Sequence, residues 1–288
     1  MTIWLGTPDV AGLAGAAVKL AEWQSDAGVF QLHPGDLGWF WRFGGERAAA
    51  AVRIWERDGE PVAIGMLDEP DLLRLAFAPE ALGDEELSRR IVDDCSDPER
   101  GVLIEGKVYF EAPATGVIQE ILSKDGWTLD EPWQPLRRDL AEPVEDGGLT
   151  IETVGPENAA ERTAIQRASF DGSTFSDDRW HAMAAGTPYA TARCLLGRDA
   201  QGTAVAGVTV WSAGEGKPGL LEPMGVHRDY RGRGYGQAIT LAAAAALREL
   251  GSSSALVATP CFNVGAVATY ESAGFTPLAQ TRDQVRDF

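Results

Sequence analysis

The sequence predicts two tandem α+β domains, each with a central, mostly antiparallel sheet flanked by helices. Three observations support this prediction. The chain has 288 residues, enough for two domains that each bury a core. Residues 141–148 are rich in proline, glycine and acids, which indicates a linker between domains at 1–144 and 149–288. The two halves also share a similar order of predicted elements, which is typical of a tandem repeat.

The C-terminal half has the clearer pattern. Its predicted elements are strands at 149–154, 189–198, 204–212, 219–226, 254–259 and 277–282, and helices at 158–168, around Trp180, at 237–250 and at 264–272. Residues 199–202 join two strands as a hairpin. Gly251 is a typical helix end. This order predicts a mixed α+β domain.

The N-terminal half repeats this order more weakly. Its predicted elements are strands at 53–56, 62–67, 72–77 and 107–111, and helices at 84–93 and 115–124. Phe77 aligns with Val226, and Gly126 aligns with Gly274. The separation from Phe77 to Gly126 is 49 residues, and the separation from Val226 to Gly274 is 48. This similarity indicates a degenerate copy of the C-terminal domain. The alternative is a chance likeness between two α+β domains.

Composition excludes several classes of function. The net charge of −18 argues against a nucleic-acid partner, because binding to phosphates requires a basic surface. No run of 18 apolar residues predicts a membrane span, and the start of the chain lacks the basic region of a signal peptide. Three cysteines without paired spacing favour a reducing, cytoplasmic location. The three histidines lie far apart, so we expect no metal site.

The most informative segment is a glycine-rich loop between the strand at 219–226 and the helix at 237–250. Gly232, Gly234 and Gly236 stand at alternate positions, and glycine allows the backbone N–H groups to approach a ligand closely. The following helix adds unpaired N–H donors and the positive end of its dipole. These features predict a site for a pyrophosphate.

The two common nucleotide-binding loops match this segment less well. A Walker loop requires a Gly-Lys-Ser/Thr sequence, which is missing, and a Rossmann loop requires glycines spaced G-x-G-x-x-G after a parallel strand. Here the spacing is G-x-G-x-G and the preceding strands form a hairpin. A glycine-rich turn with a purely structural role is the remaining alternative. Such a turn would not need Arg228, Arg231 and Arg233.

Residues 231–236, Arg-Gly-Arg-Gly-Tyr-Gly, resemble the [Q/R]-x-x-G-x-[G/A] signature of the GNAT superfamily of acyl-CoA N-acyltransferases. A second family hallmark follows in the expected order, formed by Asn263, Ala266, Tyr270, Gly274 and Phe275. The match covers about 151–288. The N-terminal half resembles the family only in topology, so the resemblance implies one catalytic domain and one degenerate copy without the cofactor loop.

The resemblance implies acetyl-CoA as the cofactor. The implied cofactor-binding residues are Met224, Val226, Arg231, Gly232, Arg233, Gly234, Tyr235, Gly236, Gln237 and Asn263. The amides of 231–236 would hold the pyrophosphate. Val226 would bond to the pantetheine arm near the acetyl carbonyl, and Asn263 would contact the pantetheine or adenylate side. Tyr270 would protonate the leaving thiolate.

The chemistry of the acceptor favours the same residue types. A lysine-like amine has a pKa of about 10.4, so only about one molecule in 10³ is neutral near pH 7.4, a cost of about 4 kcal/mol. Glu222, just before the loop, is the candidate general base. The alternatives are a salt-bridged strand carboxylate for Glu222 and a core position for Tyr270.

The N-terminal copy lacks the loop. Residues 81–86 read Ala-Leu-Gly-Asp-Glu-Glu there, and three acids at a helix start repel a pyrophosphate. The aromatic residues at 39–41 and Trp55 are expected to pack in a core or a domain interface. In the C-terminal half, acids of residues 171–178 are candidates to receive a cationic acceptor, or else they cap a helix.

The sequence therefore predicts an N-acetyltransferase that transfers an acetyl or other short acyl group directly from acyl-CoA to a primary amine of a small molecule. Two alternatives stay open. One is an acyl-CoA-binding sensor or scaffold without turnover, and the other acetylates a protein or peptide. The pattern is compatible with a monomer or a homodimer, and it does not select an acceptor.

Overall fold

The computed structural model describes residues 2–288 and confirms the mixed α+β class. The helices are α1 Val10–Trp23, α2 Pro34–Phe40, α3 Gly45–Ala51, α4 Glu85–Ser96, α5 Val117–Lys124, α6 Ala159–Ser169, α7 Asp177–Ala184, α8 Tyr235–Glu249 and α9 Val264–Ser272. The strands are β1 Ile3–Gly6, β2 Val52–Arg57, β3 Glu60–Glu69, β4 Leu72–Phe77, β5 Lys107–Glu111, β6 Thr128–Asp139, β7 Thr150–Thr153, β8 Ala192–Arg198, β9 Ala204–Ser212, β10 Gly219–Val226, β11 Ser254–Pro260, β12 Thr276–Pro277 and β13 Thr281–Asp287.

The chain forms two compact units whose bounds depart from the predicted domains 1–144 and 149–288. The N-terminal unit contains the chain up to His33, Gly45–Trp133 and Gln280–Phe288, and the C-terminal unit contains Pro34–Gly44 and Gln134–Ala279. Helix α2 therefore packs with the C-terminal unit, and the last strand, β13, packs with the N-terminal unit. The reason lies in the pairing, because β13 forms antiparallel ladders with β5 and with the first part of β6.

In the N-terminal unit the strand order is β1-β2-β3-β4-β5-β13-β6. Pairing is antiparallel from β1 to β4, and β4 and β5 are parallel. Its helix α4 follows β4 after a short turn. The cap of α4 is Asp84, whose side chain accepts a hydrogen bond of 2.9 Å from the Leu87 N–H. An aspartate at this position stabilises a helix start by pairing one of its free amides.

In the C-terminal unit the order is β6-β11-β10-β9-β8-β7, with β12 beside β6. Strands β7 to β10 are antiparallel, and β10 and β11 are parallel. The apolar side of α8 packs on this sheet, with Ile239 and Leu247 fully buried among residues such as Val208. Because a buried leucine truncated to alanine costs about 2–5 kcal/mol, α8 is firmly held. Its N-terminus is thereby fixed beside the end of β10.

Two of the predicted strands need correction. The final strand was expected at 277–282, but Thr276–Pro277 and Thr281–Asp287 are separate strands in different units. The strand expected at 189–198 starts only at Ala192, because Thr187–Thr191 forms a 3₁₀ turn that begins with a proline. Residues 141–148, predicted as a linker, contain no helix or strand, but they lie within the C-terminal unit and not between the two units. They pack closely on α8, since a Cβ at Gly147 would lie 2.6 Å from the Cα of Ala238.

Candidate functional site

Strands β10 and β11 separate from each other halfway along β10. Their parallel pairing joins Gly219 with Ala255 and Leu220 with Leu256, whereas β10 continues to Val226. At the same point the register of β10 against β9 shifts between Leu221 and Met224. Such a bulge bends a strand and re-aims its side chains. The bulge contains Glu222, the candidate base.

Beyond the bulge, the backbone of β10 offers hydrogen-bonding groups on the side away from β9. The N–H of His227 donates to the carbonyl of Val205 at 2.9 Å, so that pair is joined by hydrogen bonding across the β9–β10 ladder. Hydrogen-bonded and non-hydrogen-bonded pairs alternate along an antiparallel ladder. The backbone groups of Val226 and Met224 therefore point away from β9, into the space where β11 has separated.

The loop between β10 and α8 leaves the start of α8 open. Gly232 and Gly234 have φ values of +75° and +84°, which favour glycine, and a Cβ at either position would meet nothing within 4 Å. Gly234 caps α8 without a side-chain hydrogen bond, and the first helical bond runs from the Ala238 N–H to the Gly234 carbonyl. The amides of Tyr235, Gly236 and Gln237 precede that bond, so they remain available to an anion.

Two of the three arginines have a structural role, which corrects the expectation that a structural turn would not need them. Arg228 donates to the carbonyls of Ala168 and Arg167 at 2.8 and 3.2 Å, and Arg231 donates to that of Ser169 at 2.6 Å. These carbonyls end α6, where unpaired acceptors and the negative end of the dipole attract cations. Arg233 instead lies over the Tyr230 ring, 5.2 Å from its centroid.

Gln237 and Asn263, both expected at the cofactor, use their side chains partly within the protein. The Gln237 amide donates to the Ser272 carbonyl at 2.5 Å and joins α8 to the end of α9. The Oδ1 of Asn263 accepts from the Ala266 N–H at 3.2 Å and caps α9. Gly236 is needed for packing, since a Cβ there would lie 2.9 Å from Thr269 Cγ2.

Tyr270 and Glu222 lie near each other. Tyr270, on α9, is 6% exposed within the apolar core around α8. Burial raises the pKa of the Tyr270 hydroxyl, and the negative charge of Glu222 raises it further. Glu222 itself is half-buried, and its carbonyl accepts from the Trp211 indole N–H at 2.7 Å. The structure therefore brings the two candidate catalytic side chains within electrostatic reach.

Sequence reasoning did not place the segment Pro34–Gly44 in this unit. Helix α2 packs on β9 and β10, where a Cβ at Gly38 would lie 2.3 Å from the Trp211 ring. The sequence feature that points to this packing is the run of aromatic residues at 39–41, which was expected to lie in a core or a domain interface. Trp55, grouped with them in the sequence, is instead buried in the N-terminal unit and donates to Asp94 at 3.0 Å.

The acids of 171–178 are partly engaged. Asp171 pairs with Arg228 at 3.0 Å, and Asp177 accepts from the Thr163 hydroxyl at 2.5 Å. Ser176 caps α7 through a hydrogen bond of 3.4 Å from the Arg179 N–H. The contact with Thr163 favours a structural role for Asp177, whereas Asp171 is 94% exposed and its binding of a cation stays a prediction.

Residues 2–288 contain no cluster of three histidine, cysteine or acidic side chains that could hold a metal ion. Over the same residues, no helix has the length and apolar character needed to cross a membrane. Cys95 and Cys194 are buried and Cys261 is partly exposed, each with a free thiol.

Residues 161–275 match the model of the acetyltransferase (GNAT) family. This region contains the whole of β10, the glycine loop, α8 and Tyr270. The region 161–275 is thus a domain of the acetyltransferase (GNAT) family, and the chain that contains it is an acyl-CoA-dependent N-acetyltransferase.

Among individual proteins, mycothiol acetyltransferase of Nocardia farcinica is 29% identical over 260 residues, which cover 81% of this chain and 82% of that protein. A tandem GNAT protein from the clavulanic acid biosynthesis pathway, solved without acetyl-CoA, superposes with a TM-score of 0.63 at 14% identity, over 99% of this chain and 98% of the other. A GCN5-related N-acetyltransferase of Sphaerobacter thermophilus gives 0.61 at 18% identity, over 99% and 95%. At these identities the two structures show a shared fold.

Proposed function

We propose that the C-terminal unit binds acetyl-CoA along β10 and transfers the acetyl group directly to a primary amine of a small molecule. The observation that carries this proposal is the open N-terminus of α8 beside the outward-facing backbone of Met224 and Val226. An extended ligand with an anionic group at one end matches both features. The pyrophosphate of the cofactor would accept hydrogen bonds from the backbone amides of 231–237, because a helix start favours negative charge.

The side chains around the loop fit this cofactor. The surroundings of Gly232 and Gly234 are open, since a Cβ at either position would meet nothing within 4 Å. The outward amides of Met224 and Val226 hold the pantetheine arm. Asn263 caps α9 with Oδ1, and its Nδ2 group donates toward the pantetheine or adenylate side. Arg233 supports the pyrophosphate end by charge, while Arg228 and Arg231 fix the loop to α6.

Glu222 is the proposed general base, acting directly or through a water molecule. Acetyl-CoA supplies an activated acetyl thioester, but the acceptor amine must first lose a proton, which costs about 4 kcal/mol at neutral pH. The bulge holds Glu222 at the point where β10 and β11 separate. A carboxylate at that point can take up the amine proton and lower the cost.

Tyr270 is the proposed general acid. Burial is the main cause of its raised pKa, so the hydroxyl stays protonated at neutral pH. The charge of Glu222 adds to that shift. When Glu222 takes up the amine proton, this second contribution disappears and Tyr270 becomes more acidic. The two groups are thereby coupled, and the proton on Tyr270 becomes easier to release at the stage when a thiolate leaves.

A small-molecule acceptor is supported by the relative from Nocardia farcinica, whose name places its activity on mycothiol. The net charge of −18 adds attraction for a cationic amine. The three free cysteines favour a reducing compartment, and we place the reaction in the cytoplasm. Acetylation of a protein and cofactor binding without turnover are the alternatives that the experiment separates.

The experiment measures thiol release from acetyl-CoA with a panel of polyamines, aminoglycosides, streptothricin-like antibiotics, amino acids, peptides and mycothiol-related amines. We expect release that depends on a small amine. Tyr270→Phe lowers kcat about 10²-fold while the Kd for acetyl-CoA changes less than about twofold. Glu222→Gln gives a similar loss that shrinks as pH rises toward the amine pKa of about 10.4, because the free base is then abundant.

Three results would contradict the proposal. Unchanged turnover in Tyr270→Phe would exclude Tyr270 as the general acid. Tight acetyl-CoA binding without thiol release for any amine would favour a sensor. Release with peptides alone would favour the protein acetyltransferase.

A further inference from the structure

Six side chains of the C-terminal unit form a continuous series of cation–ring and ring–ring contacts, which we call the Arg42 ladder. Its members, in spatial order, are Arg162, Phe175, Trp39, Arg42, Phe43 and Arg179. The Arg42 guanidinium lies 4.2 Å from the Trp39 ring centroid and 4.3 Å from that of Phe43. Distances below about 6 Å give attraction between a cation and a ring, and planar guanidinium groups stack well.

The ladder joins α6, the loop before α7, α7 and the segment Pro34–Gly44. Arg162 belongs to α6 and is fully buried, with its guanidinium 6.0 Å from the Phe175 ring centroid. Phe175 lies in the loop before α7 and packs on Trp39 with centroids 5.0 Å apart. Arg179, on α7, is the last member of the ladder, 4.9 Å from the Phe43 centroid. The middle of the ladder is thus the segment Pro34–Gly44, which comes from the N-terminal half of the sequence.

The same segment lies against the strand that carries Glu222. Helix α2 packs on β9 and β10, and Gly38 contacts the Trp211 ring so closely that no side chain fits. The indole N–H of Trp211 in turn donates to the Glu222 carbonyl at 2.7 Å. The segment therefore packs on the strand that carries Glu222 and on the side chain that binds the Glu222 carbonyl.

We propose that the segment Pro34–Gly44 is a wall of the acceptor site and that the Arg42 ladder positions the loop at 171–176 and α7 for acceptor binding. This inference rests on the proposed function and deepens it. The members of the ladder are positioning residues, because they act through the loop and touch no reacting atom. Their loss changes acceptor recognition and leaves acetyl-CoA binding, which depends on the loop at 231–236, unaltered.

The experiment compares Arg42→Lys with the wild-type protein. Lysine keeps the charge but cannot stack as a plane between two rings. We expect the acceptor KM to rise at least about fivefold while the acetyl-CoA KM changes less than about twofold. Trp39→Leu removes the ring between Phe175 and Arg42 and gives a larger rise. Arg193→Lys is the matched control, since Arg193 is exposed in the same unit and outside the ladder.

Hydrogen exchange gives a second readout that needs no turnover. Deuterium uptake at 171–184 becomes faster in Arg42→Lys than in the wild type or in Arg193→Lys. If no amine supports turnover in the wild type, the proposed function fails while this measurement still tests the ladder. Unchanged exchange at 171–184 would overturn the positioning role. Equal rises in the KM values of acceptor and acetyl-CoA would overturn the assignment to the acceptor site.

Discussion

The two units contain the same strand–turn–helix arrangement, and only one of them leaves it open. In the N-terminal unit β4 leads to α4 and pairs in parallel with β5, as β10 leads to α8 and pairs with β11. The Ala78 N–H donates to the Val62 carbonyl at 3.0 Å, which matches the bond from His227 to Val205. The backbone N–H and carbonyl groups of Phe77 and Leu75 therefore point away from β3, as those of Val226 and Met224 point away from β9.

The space beside β4 is filled by the protein itself. The side-chain amide of Gln31 donates to the Phe77 carbonyl at 3.3 Å and accepts from the Phe77 N–H at 3.1 Å. The Leu32 N–H donates to the Leu75 carbonyl at 3.4 Å. Gln31 and Leu32 thus use the backbone groups whose counterparts in the C-terminal unit are proposed to bind pantetheine. Under the proposed function, this chain segment takes the place that pantetheine has in the C-terminal unit.

The helix start is closed as well. Asp84 caps α4 and pairs with Arg57 at 2.5 Å, and this hydrogen bond lowers the pKa of the Asp84 carboxyl. The anion site of α4 is therefore taken by a fixed carboxylate, whereas Gly234 offers no side chain at the start of α8. In the N-terminal unit the protein's own polar groups thus satisfy the backbone atoms of the strand end and the helix start.

The largest expected effect comes from closing the open copy. Gly234→Glu places a carboxylate over the amides of α8, so we expect acetyl-CoA binding to weaken by more than about 100-fold in calorimetry. Gly202→Glu is the matched control, because Gly202 also has a positive φ, of +80°, and open space around its Cβ position. Gly83→Glu changes the corresponding turn of the N-terminal copy. Both controls keep wild-type affinity, and a similar loss in either would contradict this difference between the copies.

A smaller effect is expected from removing the Gln31 side chain, which binds the end of β4 in the N-terminal copy. Gln31→Ala leaves the buried Phe77 N–H and carbonyl without their partner, which costs about 1–3 kcal/mol in the free energy of unfolding. Urea titration measures this loss, with the exposed Gln201→Ala as control. The acetyl-CoA affinity stays at the wild-type value. A change in affinity would mean that the N-terminal copy takes part in cofactor binding.

The smallest effect concerns the pH dependence of stability. Burial and the charge of Glu111 raise the pKa of Asp283 to about 7 in the folded N-terminal unit. An unfolded aspartate has a pKa of about 3.9, so the stability contributed by the protonated form is full below that pH and is lost as pH rises through 7.

Asp283→Asn therefore raises the Tm at pH 8 by about 2–4 °C and has little effect near pH 4. Thermal melts at the two pH values check this. An equal shift at both would refute the raised pKa, and a change in acetyl-CoA affinity would again link the two copies.

Local sequence patterns predicted the elements that hold the proposed site. The bounds of β9, β10 and α9 follow from alternation and helical spacing, and the glycine loop indicates its backbone chemistry directly. Contacts between distant residues left no such signal. Gln31 meets Phe77 across 46 residues and Arg228 meets Ala168 across 60. The segment Pro34–Gly44 packs in the C-terminal unit through a close fit between Gly38 and Trp211. Hydrophobic periodicity in the sequence does not reveal such a fit.

The most direct test of the central claim is the stoichiometry and footprint of acetyl-CoA on the full chain. We predict one molecule per chain in calorimetry. Hydrogen exchange should show protection on binding at 224–237 and none at 75–87, because Gln31, Leu32 and Asp84 already occupy the N-terminal copy. Two molecules per chain, or protection at 75–87 equal to that at 224–237, would contradict the assignment of a single open cofactor site.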